Sequence, residues 1–481
     1  MNIKKIVSLF LGLIMIFVSN PMSYACNDFE GENTKVQICT EESSDEKPLY
    51  TMRNDGELSL DELASAEMSK EDIPEILENK SEVINKYHVK RLREQEDDLS
   101  TYIFQNDDGT KTAYVFNEPV KYIDNNNNII DKNTKFIESS SEEFKYENDK
   151  NDIKIKIPEN IEKNAIEVSN ENFKIKIKPE KALKNNTNVK IKNRTPYEKI
   201  VLSSNGTTVE NIEYPETFGK KTSFSCQSLY NGVQLNIENK DNLKSISFCI
   251  NVGKNKKIVQ KNGKYDIIEV ETNNVIASLD TYIDENTTVE INKKLFSNEN
   301  IMTISSLGSL PQNLSLVLYT SANGKENIED YTLKTTSPYI NHPSDEKLYI
   351  GRQDSSTVYR TAVNFPCLKN ATYSDSLIDS IAADNLIKAE LCLTDIKPND
   401  KKICLQAYYY NMPWTESQIV NDNKNFNAFG ALISETTTEY YPKRIPCAID
   451  ITSAFKAWKK GEKVNNGIIL KAKNENESKC S

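Results

Sequence analysis

Apolar and polar residues alternate with a period of two along much of this chain from Leu99 onward. The clearest examples are DIKIKI at residues 152–157 and NFKIKIK at residues 172–178, where lysine takes every second position. Because successive side chains of a strand point to opposite sides of a sheet, this period predicts half-buried β-strands. Lysines on such strands protect sheet edges from aggregation, and binding of an acidic polymer is the alternative role.

Turn signals rich in Asn, Asp and Gly separate the predicted strands. The sharpest are NDDG at residues 106–109, DNNNN at 124–128 and YNGV at 230–233. Clusters of Asp and Asn also bind calcium, but no EF-hand loop is present, so no cofactor is predicted and structural calcium is not indicated. The predicted strands cover residues 101–104, 111–116, 120–123, 152–157, 172–178, 199–202, 222–229, 233–237, 245–252, 265–270 and 314–319. The predicted fold class is all-β, with tandem antiparallel β domains behind a short acidic linker that is partly helical.

The N-terminal residues 1–25 have the form of an export signal. Lys4 and Lys5 precede an apolar run, and the run ends in a small-x-small cleavage site that finishes at Ala25. We therefore predict a secreted, extracellular protein. Cleavage would leave Cys26 at the new N-terminus, so a lipid anchor at Cys26 is the minor alternative; serine stands where a lipobox usually has leucine. No later run of ~18 apolar residues is present, which predicts no transmembrane segment.

Residues 26–95 are predicted to form an acidic linker. They include 18 acidic and 9 basic residues, and the first half has too little apolar content to fold alone. Ser59 and Ser69 are candidate N-caps of two short helices, with Glu62 and Asp72 three residues further on. The linker is therefore predicted to be partly helical and otherwise disordered.

Composition and the inventory of reactive side chains argue against several functions. A net charge of −11 disfavours non-specific nucleic-acid binding, which needs a basic surface. The two histidines, His88 and His342, lack any spacing typical of a catalytic or metal site, and there is no Gly-rich phosphate loop. Carboxylates are abundant, but no pair is singled out for glycoside hydrolysis. We predict no catalytic residue, no metal site and no enzymatic activity; a polysaccharide lyase or hydrolase is the less favoured alternative.

Nine cysteines leave at least one thiol unpaired within a monomer. Cys392 and Cys404 are the leading candidate pair, because a hairpin centred on Pro398 and Asn399 would place them opposite each other. Two unlinked thiols are the equal alternative. Weaker candidate pairs are Cys26 with Cys39 and Cys226 with Cys249.

The segment LYIGRQDSSTVYRTAVNF at residues 348–365 carries the leading candidate ligand-binding residues. Two alternating runs flank a polar turn, which predicts a β-hairpin. Arg352 and Arg360 lie beside Tyr349 and Tyr359, and guanidinium groups pair bidentately with carboxylate or phosphate. Alternation puts Arg360 on the opposite face from Tyr359, so Arg352 is the better candidate for a ligand and Arg360 for structure.

The two tryptophans have different predicted surroundings. Trp458 belongs to an apolar stripe that predicts a short helix with Trp458 in a core, Thr452 as N-cap and Gly461 as the end. Trp414 follows Pro413 and precedes a polar run. Its candidate role is stacking on a sugar ring, and burial is the favoured alternative.

Blocks in the middle of the chain carry a first resemblance. HVKRL at residues 88–92 is followed by DLSTYIFQNDDGTKTAYVFNEPVKYID at 98–124, and SLYNGVQL at 228–235 by residues 244–252. These blocks resemble the N-terminal ectodomain of clostridial wall-associated proteins with RHS (YD) repeats, over about residues 65–335. The resemblance implies a cell-envelope protein. The chain stops where RHS proteins would go on to long repeats, which argues against toxin delivery by this chain alone.

Blocks in the last part of the chain carry a second and stronger resemblance. They are SPYIN at residues 337–341, LYIG at 348–351, YRTAVNF at 359–365, IKAEL at 387–391, WTES at 414–417, DIT at 450–452, AW at 457–458 and NNGIIL at 465–470. In this order they resemble the DNRLRE-type module over Ser337–Lys473. That family has a jelly-roll β-sandwich and includes alginate-binding carbohydrate modules, so the resemblance implies both. PCL at residues 366–368 and YYY at 408–410 depart from the family pattern.

These patterns together predict a domain order and a function. The domains are a signal peptide (1–25), a linker (26–95), two β domains (96–205 and 206–336), a jelly-roll sandwich (337–475) and a tail (476–481). The predicted function is a secreted, cell-wall-associated, non-enzymatic protein of a Gram-positive bacterium whose C-terminal sandwich binds polysaccharide, most naturally an anionic cell-wall polymer. Lys443 and Arg444 would add basic charge to the binding residues. The alternative is a structural stalk, or the N-terminal portion of an RHS-type surface protein. The sequence makes no prediction of oligomeric state.

Overall fold

A computed structural model describes most of the chain beyond residue 67. The predicted signal peptide, Cys26, Cys39 and the helix expected after Ser59 lie outside the described residues. The described residues are 68–78, 88–96, 98–116, 119–185, 187–202, 208–261, 264–282, 287–294, 297, 299–320, 329–335, 349–352, 356–365, 382–393, 404–415, 419, 423–437, 447–475 and 479–480.

Strands dominate the described residues, and every described strand pairing is antiparallel. The prediction of an all-β fold with antiparallel sheets is therefore confirmed. Among the described residues, no helix has the length and hydrophobicity that crossing a membrane requires. The helices are α1 Glu75–Glu78, α2 Asn423–Phe426 and α3 Thr452–Lys459, with short 3-10 turns at Lys70–Asp72, Arg93–Gln95 and Ala383–Asn385.

The strands fall in three consecutive stretches. The first holds β1 His88–Arg91, β2 Thr101–Asn106 and β3 Lys111–Val115. The second holds β4 Lys121–Ile123, β5 Ile129–Asp131, β6 Phe136–Glu138, β7 Phe144–Asn148, β8 Lys154–Pro158, β9 Ile166–Ser169, β10 Lys174–Lys184, β11 Thr187–Val189, β12 Tyr197–Leu202, β13 Thr208–Tyr214, β14 Thr222–Leu229, β15 Gly232–Asn239, β16 Ser245–Asn251, β17 Lys256–Lys261, β18 Lys264–Glu269, β19 Val275–Tyr282, β20 Thr287–Lys293, β21 Glu299–Ser306 and β22 Asn313–Thr320. The third holds β23 Glu329–Lys334, β24 Ile350–Arg352, β25 Val358–Asn364, β26 Glu390–Leu393, β27 Cys404–Tyr410, β28 Phe429–Thr437, β29 Cys447–Asp450, β30 Ile468–Ala472 and β31 Lys479–Cys480.

These stretches form two compact units rather than three. The first unit combines described residues 68–120 with 329–480, and the second is built from residues 121–320. The predicted boundary between residues 205 and 206 falls inside the second unit. Residues 88–120, predicted to begin a separate β domain or to end the linker, share a core with the predicted jelly-roll region.

The first unit is organised around a seven-stranded sheet of order β28-β27-β30-β25-β24-β31, with β23 also paired to β25. The period of two gives this sheet two apolar faces. One face packs against β1–β3, the β26–β29 pair and α3. Its cluster includes Tyr102, Phe104, Phe116, Val363, Phe365, Leu405, Phe455, Trp458, Ile468 and Leu470. The other face carries a smaller cluster of Tyr331, Leu333, Val358, Ala362, Tyr410, Trp414, Ile419, Phe426 and Ile469.

Helix α3 closes one end of the larger cluster with the predicted side of the helix. Phe455 and Trp458 are buried, and Gly461 ends the helix at φ 69°, a conformation that suits glycine. The N-terminus differs from the prediction. Asp450 accepts the backbone N–H of Thr452 at 2.8 Å, while the Thr452 hydroxyl accepts from Ala389 N. Thr452 therefore ties the helix to Ala389, directly before β26, and does not cap the helix.

The second unit is a sandwich of two large sheets. One has the order β20-β21-β16-β10-β9-β8-β7-β6, with β11 added beside β10, and the other has the order β12-β13-β14-β15-β22-β19-β18-β17. A continuous apolar cluster lies between them and includes Ile155, Ile177, Phe224, Phe248 and Leu316. The lysines of the DIKIKI and NFKIKIK strands face away from this core, as predicted.

Candidate functional site

The two strands predicted within residues 348–365 pair as expected, and their register separates the candidate residues; residue 348 and the turn at 353–355 lie outside the described residues. β24 pairs with β25 so that Gly351 faces Tyr359 and Arg352 faces Val358. Tyr349 and Tyr359 lie on one side of the sheet with their ring centroids 5.4 Å apart. Arg352 and Arg360 lie on the other side, because alternate residues of a strand share a face.

Arg360 is buried, and its guanidinium group has both hydrogen-bond partners and aromatic contacts. Its Nε and Nη2 donate to the two carboxylate oxygens of Glu475 at 2.7 and 2.9 Å, and Nη1 donates to the carbonyl of Phe426 at 2.8 Å. The guanidinium carbon also lies 4.0 Å from the ring centroid of Phe426 and 4.9 Å from that of Phe429. These contacts agree with the structural role expected for Arg360.

Arg352 reaches the same acidic residue by a different route. Its Nε donates to the backbone carbonyl of Glu475 at 3.1 Å, so both arginines meet at the turn that follows β30. Arg352 is less enclosed than Arg360. The structure thus brings the two arginines together, and places the two tyrosines on the opposite face.

Trp414 is buried, at 5% exposure, and belongs to the smaller apolar cluster. Its Nε1 donates to the carbonyl of Asn466 at 3.0 Å, and its ring packs edge-on to Tyr410 at 6.1 Å. An indole held in this way does not stack on a sugar, so burial, the favoured alternative, describes Trp414. Lys443 and Arg444 lie outside the described residues.

The cysteines agree with the equal alternative of unlinked thiols rather than with a Cys392–Cys404 bridge. β26 pairs with β29, which sets Cys392 opposite Ala448, and Cys404 stands opposite Thr437 in β28 as a free thiol. The hairpin that would bring Cys392 and Cys404 face to face is therefore replaced by two other pairings. Strand alternation around a turn centred on Pro398 and Asn399 favoured the local hairpin, but β26 pairs with the distant β29.

Cys226 and Cys249 are free thiols too, so the bridge predicted between them is not formed. They belong to different sheets of the second unit. Burial raises the pKa of the Cys226 thiol far above its ordinary value. Burial and the nearby Glu299 raise the pKa of Cys249 to about 11. Both thiols are therefore uncharged at neutral pH.

The sequence analysis missed a polar and aromatic surface on the same sheet face as Arg360. We call it the Tyr408 surface, and it is carried by β27, β28 and β30. Strand register brings its members together, since Gln406 faces Lys471 and Tyr408 faces Ile469 across the β27–β30 pair. Its members are Gln406, Tyr408, Phe429, Glu435, Lys471 and Lys473.

Two half-buried rings form the centre of the Tyr408 surface. The ring centroids of Tyr408 and Phe429 are 5.2 Å apart with planes at 63°. The ammonium of Lys471 lies 5.3 Å from the first ring centroid and 5.1 Å from the second. Among the described residues, no carboxylate forms an ion pair with Lys471, so its charge faces the rings and solvent.

A chain of hydrogen bonds borders these rings. The Tyr408 hydroxyl donates to Gln406 Oε1 at 2.8 Å, and Gln406 Nε2 donates to Glu435 Oε2 at 3.1 Å. Lys473 Nζ completes the chain with contacts of 2.9 and 3.0 Å to the two oxygens of Glu435. The amide, hydroxyl and charged groups are thus held in fixed orientations by one another.

The same contacts decide the protonation states. Burial raises the pKa of Tyr408, and the charges of Glu435 and Glu475 add to the shift. The hydrogen bond from Lys473 lowers the pKa of Glu435, and Glu435 in turn raises the pKa of Lys473. Tyr408 is therefore a neutral hydroxyl and Glu435 an ionised carboxylate across the physiological range.

Strand alternation at residues 404–410 and 468–472 could have indicated this surface from the sequence. CLQAYYY at residues 404–410 and IILKA at 468–472 both alternate, which puts Gln406, Tyr408 and Lys471 on a common side once the strands pair. The triple tyrosine was noted only as a departure from a family pattern. In the part of the chain that the structure describes, no group of three His, Cys, Asp or Glu side chains is arranged to hold a metal.

Comparison with known proteins adds little to this geometry. No family model matches the chain, and no curated protein matches it. One matching solved structure is a heparinase III gene product, 9% identical, with a TM-score of 0.22. The match covers 38% of this chain and 28% of heparinase III, so the chain spans under a third of that structure. A TM-score this low does not establish a shared fold.

Proposed function

We propose that this protein is a secreted, cell-envelope-associated, non-enzymatic protein that binds an anionic polysaccharide on the Tyr408 surface. The observation that carries the proposal is the position of Lys471, whose ammonium lies 5.1–5.3 Å from two half-buried rings and has no ion-pair partner among the described residues. Aromatic rings pack against the C–H face of a sugar, and a free ammonium attracts its carboxylate or phosphate.

The groups around the rings suit the hydroxyls of a glycan. Gln406 is buried and holds the half-buried Tyr408 hydroxyl by a hydrogen bond, and the hydroxyl oxygen keeps acceptor capacity for a sugar hydroxyl. The Arg360 guanidinium, held by Glu475, lies against the Phe429 ring, so this ring has a fixed neighbour before a ligand arrives. The resemblance of residues 337–473 to DNRLRE-type modules supports the same class of ligand.

The state of the local carboxylates supports a binding role over a catalytic one. Glu435 is held by Lys473, and Glu475 by both side-chain nitrogens of the Arg360 fork. A general acid must hold a proton near neutral pH, and the lowered pKa of Glu435 removes it from that role.

The proposal is tested by retention of the full mature chain on alginate, polygalacturonate and purified cell walls at low salt. A fragment of residues 337–481 is unsuitable, because residues 88–120 supply part of its core. We expect Tyr408→Ala combined with Phe429→Ala to weaken retention about tenfold, equivalent to roughly 1.4 kcal/mol.

Tyr349→Ala is the matched control, since Tyr349 is a half-buried tyrosine on the opposite face of the same sheet. If Tyr349→Ala weakens retention and the Tyr408 variant does not, the hairpin face predicted from sequence is the binding site. If the intact chain is retained on none of the three polymers, the binding proposal fails and the structural-stalk alternative gains support.

A further inference from the structure

The second unit contains a cleft of its own, at the edge where its two sheets open. β17 and β18 of the eight-stranded sheet form one wall, and β20 and β21 of the nine-stranded sheet form the other. The cleft has a volume of about 440 Å³, within the range of small-ligand sites, roughly 300–1,000 Å³. All its lining residues belong to the unit built from residues 121–320, so it is separate from the Tyr408 surface.

A tyrosine ties the two walls together at the cleft floor. Tyr265 of β18 is buried at 5% exposure, and its hydroxyl donates to the carbonyl of Val289 in β20 at 2.9 Å. Ile258 and Ile291 extend the floor as partly buried apolar side chains. Burial and the charge of Glu290 raise the pKa of Tyr265, so the tie stays protonated at neutral pH.

The rim of the cleft is basic and rich in amides. Lys256, Lys257 and Lys293 line it together with a single carboxylate, that of Glu290. None of the three lysines forms an ion pair with another described residue. The adjacent Lys294 differs, since it contacts Glu299 at 3.1 Å and Glu180 at 3.6 Å. The remaining polar lining consists of the amides of Gln260, Asn292 and Asn300.

We propose that this cleft binds an acidic sugar unit of a glycan, as a second site independent of the Tyr408 surface. The unpaired lysines supply charge for a carboxylate or sulfate, and the cleft itself carries one opposing carboxylate. The amides match sugar hydroxyls, which need both donors and acceptors. The isoleucine floor offers an apolar contact for the C–H face of the ring.

The test measures binding of hexagalacturonate and of a chondroitin sulfate hexasaccharide by calorimetry, with the full mature chain at low salt. The chain carries Tyr408→Ala and Phe429→Ala, so that the first surface does not contribute. Lys256 shares its strand face with the floor residue Ile258, so we expect Lys256→Glu with Lys293→Glu to weaken binding about tenfold or more, and raised salt to weaken binding to the unsubstituted cleft. Lys256→Arg with Lys293→Arg keeps the charge, and binding is expected to stay within about threefold.

The matched control is Lys150→Glu with Lys163→Glu, two exposed lysines of the same unit that do not line the cleft. This pair makes the same change in net charge and is expected to leave binding nearly unchanged. An equal loss in both reversal variants would show only long-range attraction and would overturn the inference, as would failure of both oligosaccharides to bind. The same lysine reversals are also measured in the chain with native Tyr408 and Phe429. The tyrosine and phenylalanine substitutions remove only the Tyr408 surface and the lysine reversals remove only the cleft, so the two proposals can fail separately.

Discussion

Among its described residues, the first unit contains two buried arginine–glutamate pairs that differ in how far they are enclosed. Arg91 and Glu96 are 1% and 3% exposed, and the carboxylate is held at 2.8 Å by both Nε and Nη2. Arg360 and Glu475 make the same fork at 2.7 and 2.9 Å, with 8% and 20% exposure. Both pairs make the same two hydrogen bonds, but solvent reaches the second pair and not the first.

The two pairs also differ in sequence separation. Arg91 ends β1 and Glu96 follows the next 3-10 turn, so their pair fixes a local loop, and Glu96 also accepts the N–H of Ile103. Arg360 and Glu475 are 115 positions apart and meet at the border of an exposed surface. An enclosed pair mainly fixes the fold. A pair at a surface border also keeps a binding platform in place.

The largest expected effect is on the enclosed pair. Arg91→Ala leaves the Glu96 carboxylate buried without its cation, so we expect unfolding to become easier by about 3–5 kcal/mol. Guanidinium denaturation followed by tryptophan fluorescence measures this, because both tryptophans of the chain lie in the first unit. Arg93→Ala is the control, since its pair with Asp72 is 3.4 Å long and largely exposed. Equal losses for Arg91→Ala and Arg93→Ala would contradict the comparison.

The second effect concerns His88, which is buried in the same region as Arg91. Its ring nitrogens contact Asn106 Oδ1 at 2.5 Å and the Tyr114 hydroxyl at 2.7 Å. Burial lowers the pKa of His88 to about 4, partly offset by the Asn106 hydrogen bond. The unfolded chain takes up this proton below pH 6.5, and the folded chain only near pH 4. The stability of this unit should therefore be complete above pH 6.5 and fall by about 3 kcal/mol as the pH drops to 4.

Replacing the imidazole isolates this contribution from the carboxylates that titrate nearby. His88→Gln keeps a polar side chain and removes the titration. Between pH 6.5 and 4, the difference in unfolding free energy between the two proteins should shrink as the pH falls. A constant difference across this range would show that the buried imidazole is not the source.

The third effect concerns the surface-border pair. Arg360→Ala is expected to cost about 2 kcal/mol, less than Arg91→Ala, because solvent reaches Glu475 and rehydrates it. Arg360→Lys keeps the charge but cannot make the fork, so it should recover only part of this loss. Both variants should weaken polysaccharide retention by loosening Phe429. A loss of stability with unchanged retention would show that the Arg360–Glu475 pair does not support the binding surface.

The smallest effect is expected for the exposed pair on the Tyr408 surface. Glu435→Gln removes the charge that Lys473 contacts, and an exposed pair of this kind contributes little to stability because solvent screens both charges. Stability should change little, and retention of an anionic polymer should improve slightly as a negative charge is lost. A loss of stability near that of Arg360→Ala would show that this pair is also structural.

Much of the strand pattern follows from the sequence because alternation is a local property. Residues 222–229 form β14 as predicted, and the YNGV turn joins it to β15. Edge strands such as β17 and β20 were missed, since their alternation is short and mixed with charged residues. The partner of a strand is not local either, and β26 therefore joins β29 where the nearer β27 was expected.

The candidate site was likewise predictable only where it depends on a single strand. Alternation correctly separated Arg360 from Tyr359, because it depends only on the strand containing both. The Tyr408 surface needs the register of three strands from residues 404–410, 429–437 and 468–472. No spacing in the sequence encodes that register. Glu475, the partner of both arginines, follows β30 in a turn and gave no signal of its own.

The shared core of residues 88–120 and 329–480 has a consequence for the order of folding during synthesis. Translation presents Tyr102, Phe104 and Phe116 long before the strands that bury them, and residues 121–320 can complete their own sandwich in the interval. The aromatic side chains of β1–β3 and Phe116 therefore stay exposed until the late strands have been synthesised. A holding chaperone, or export of the chain while still unfolded, would protect them until the late strands arrive.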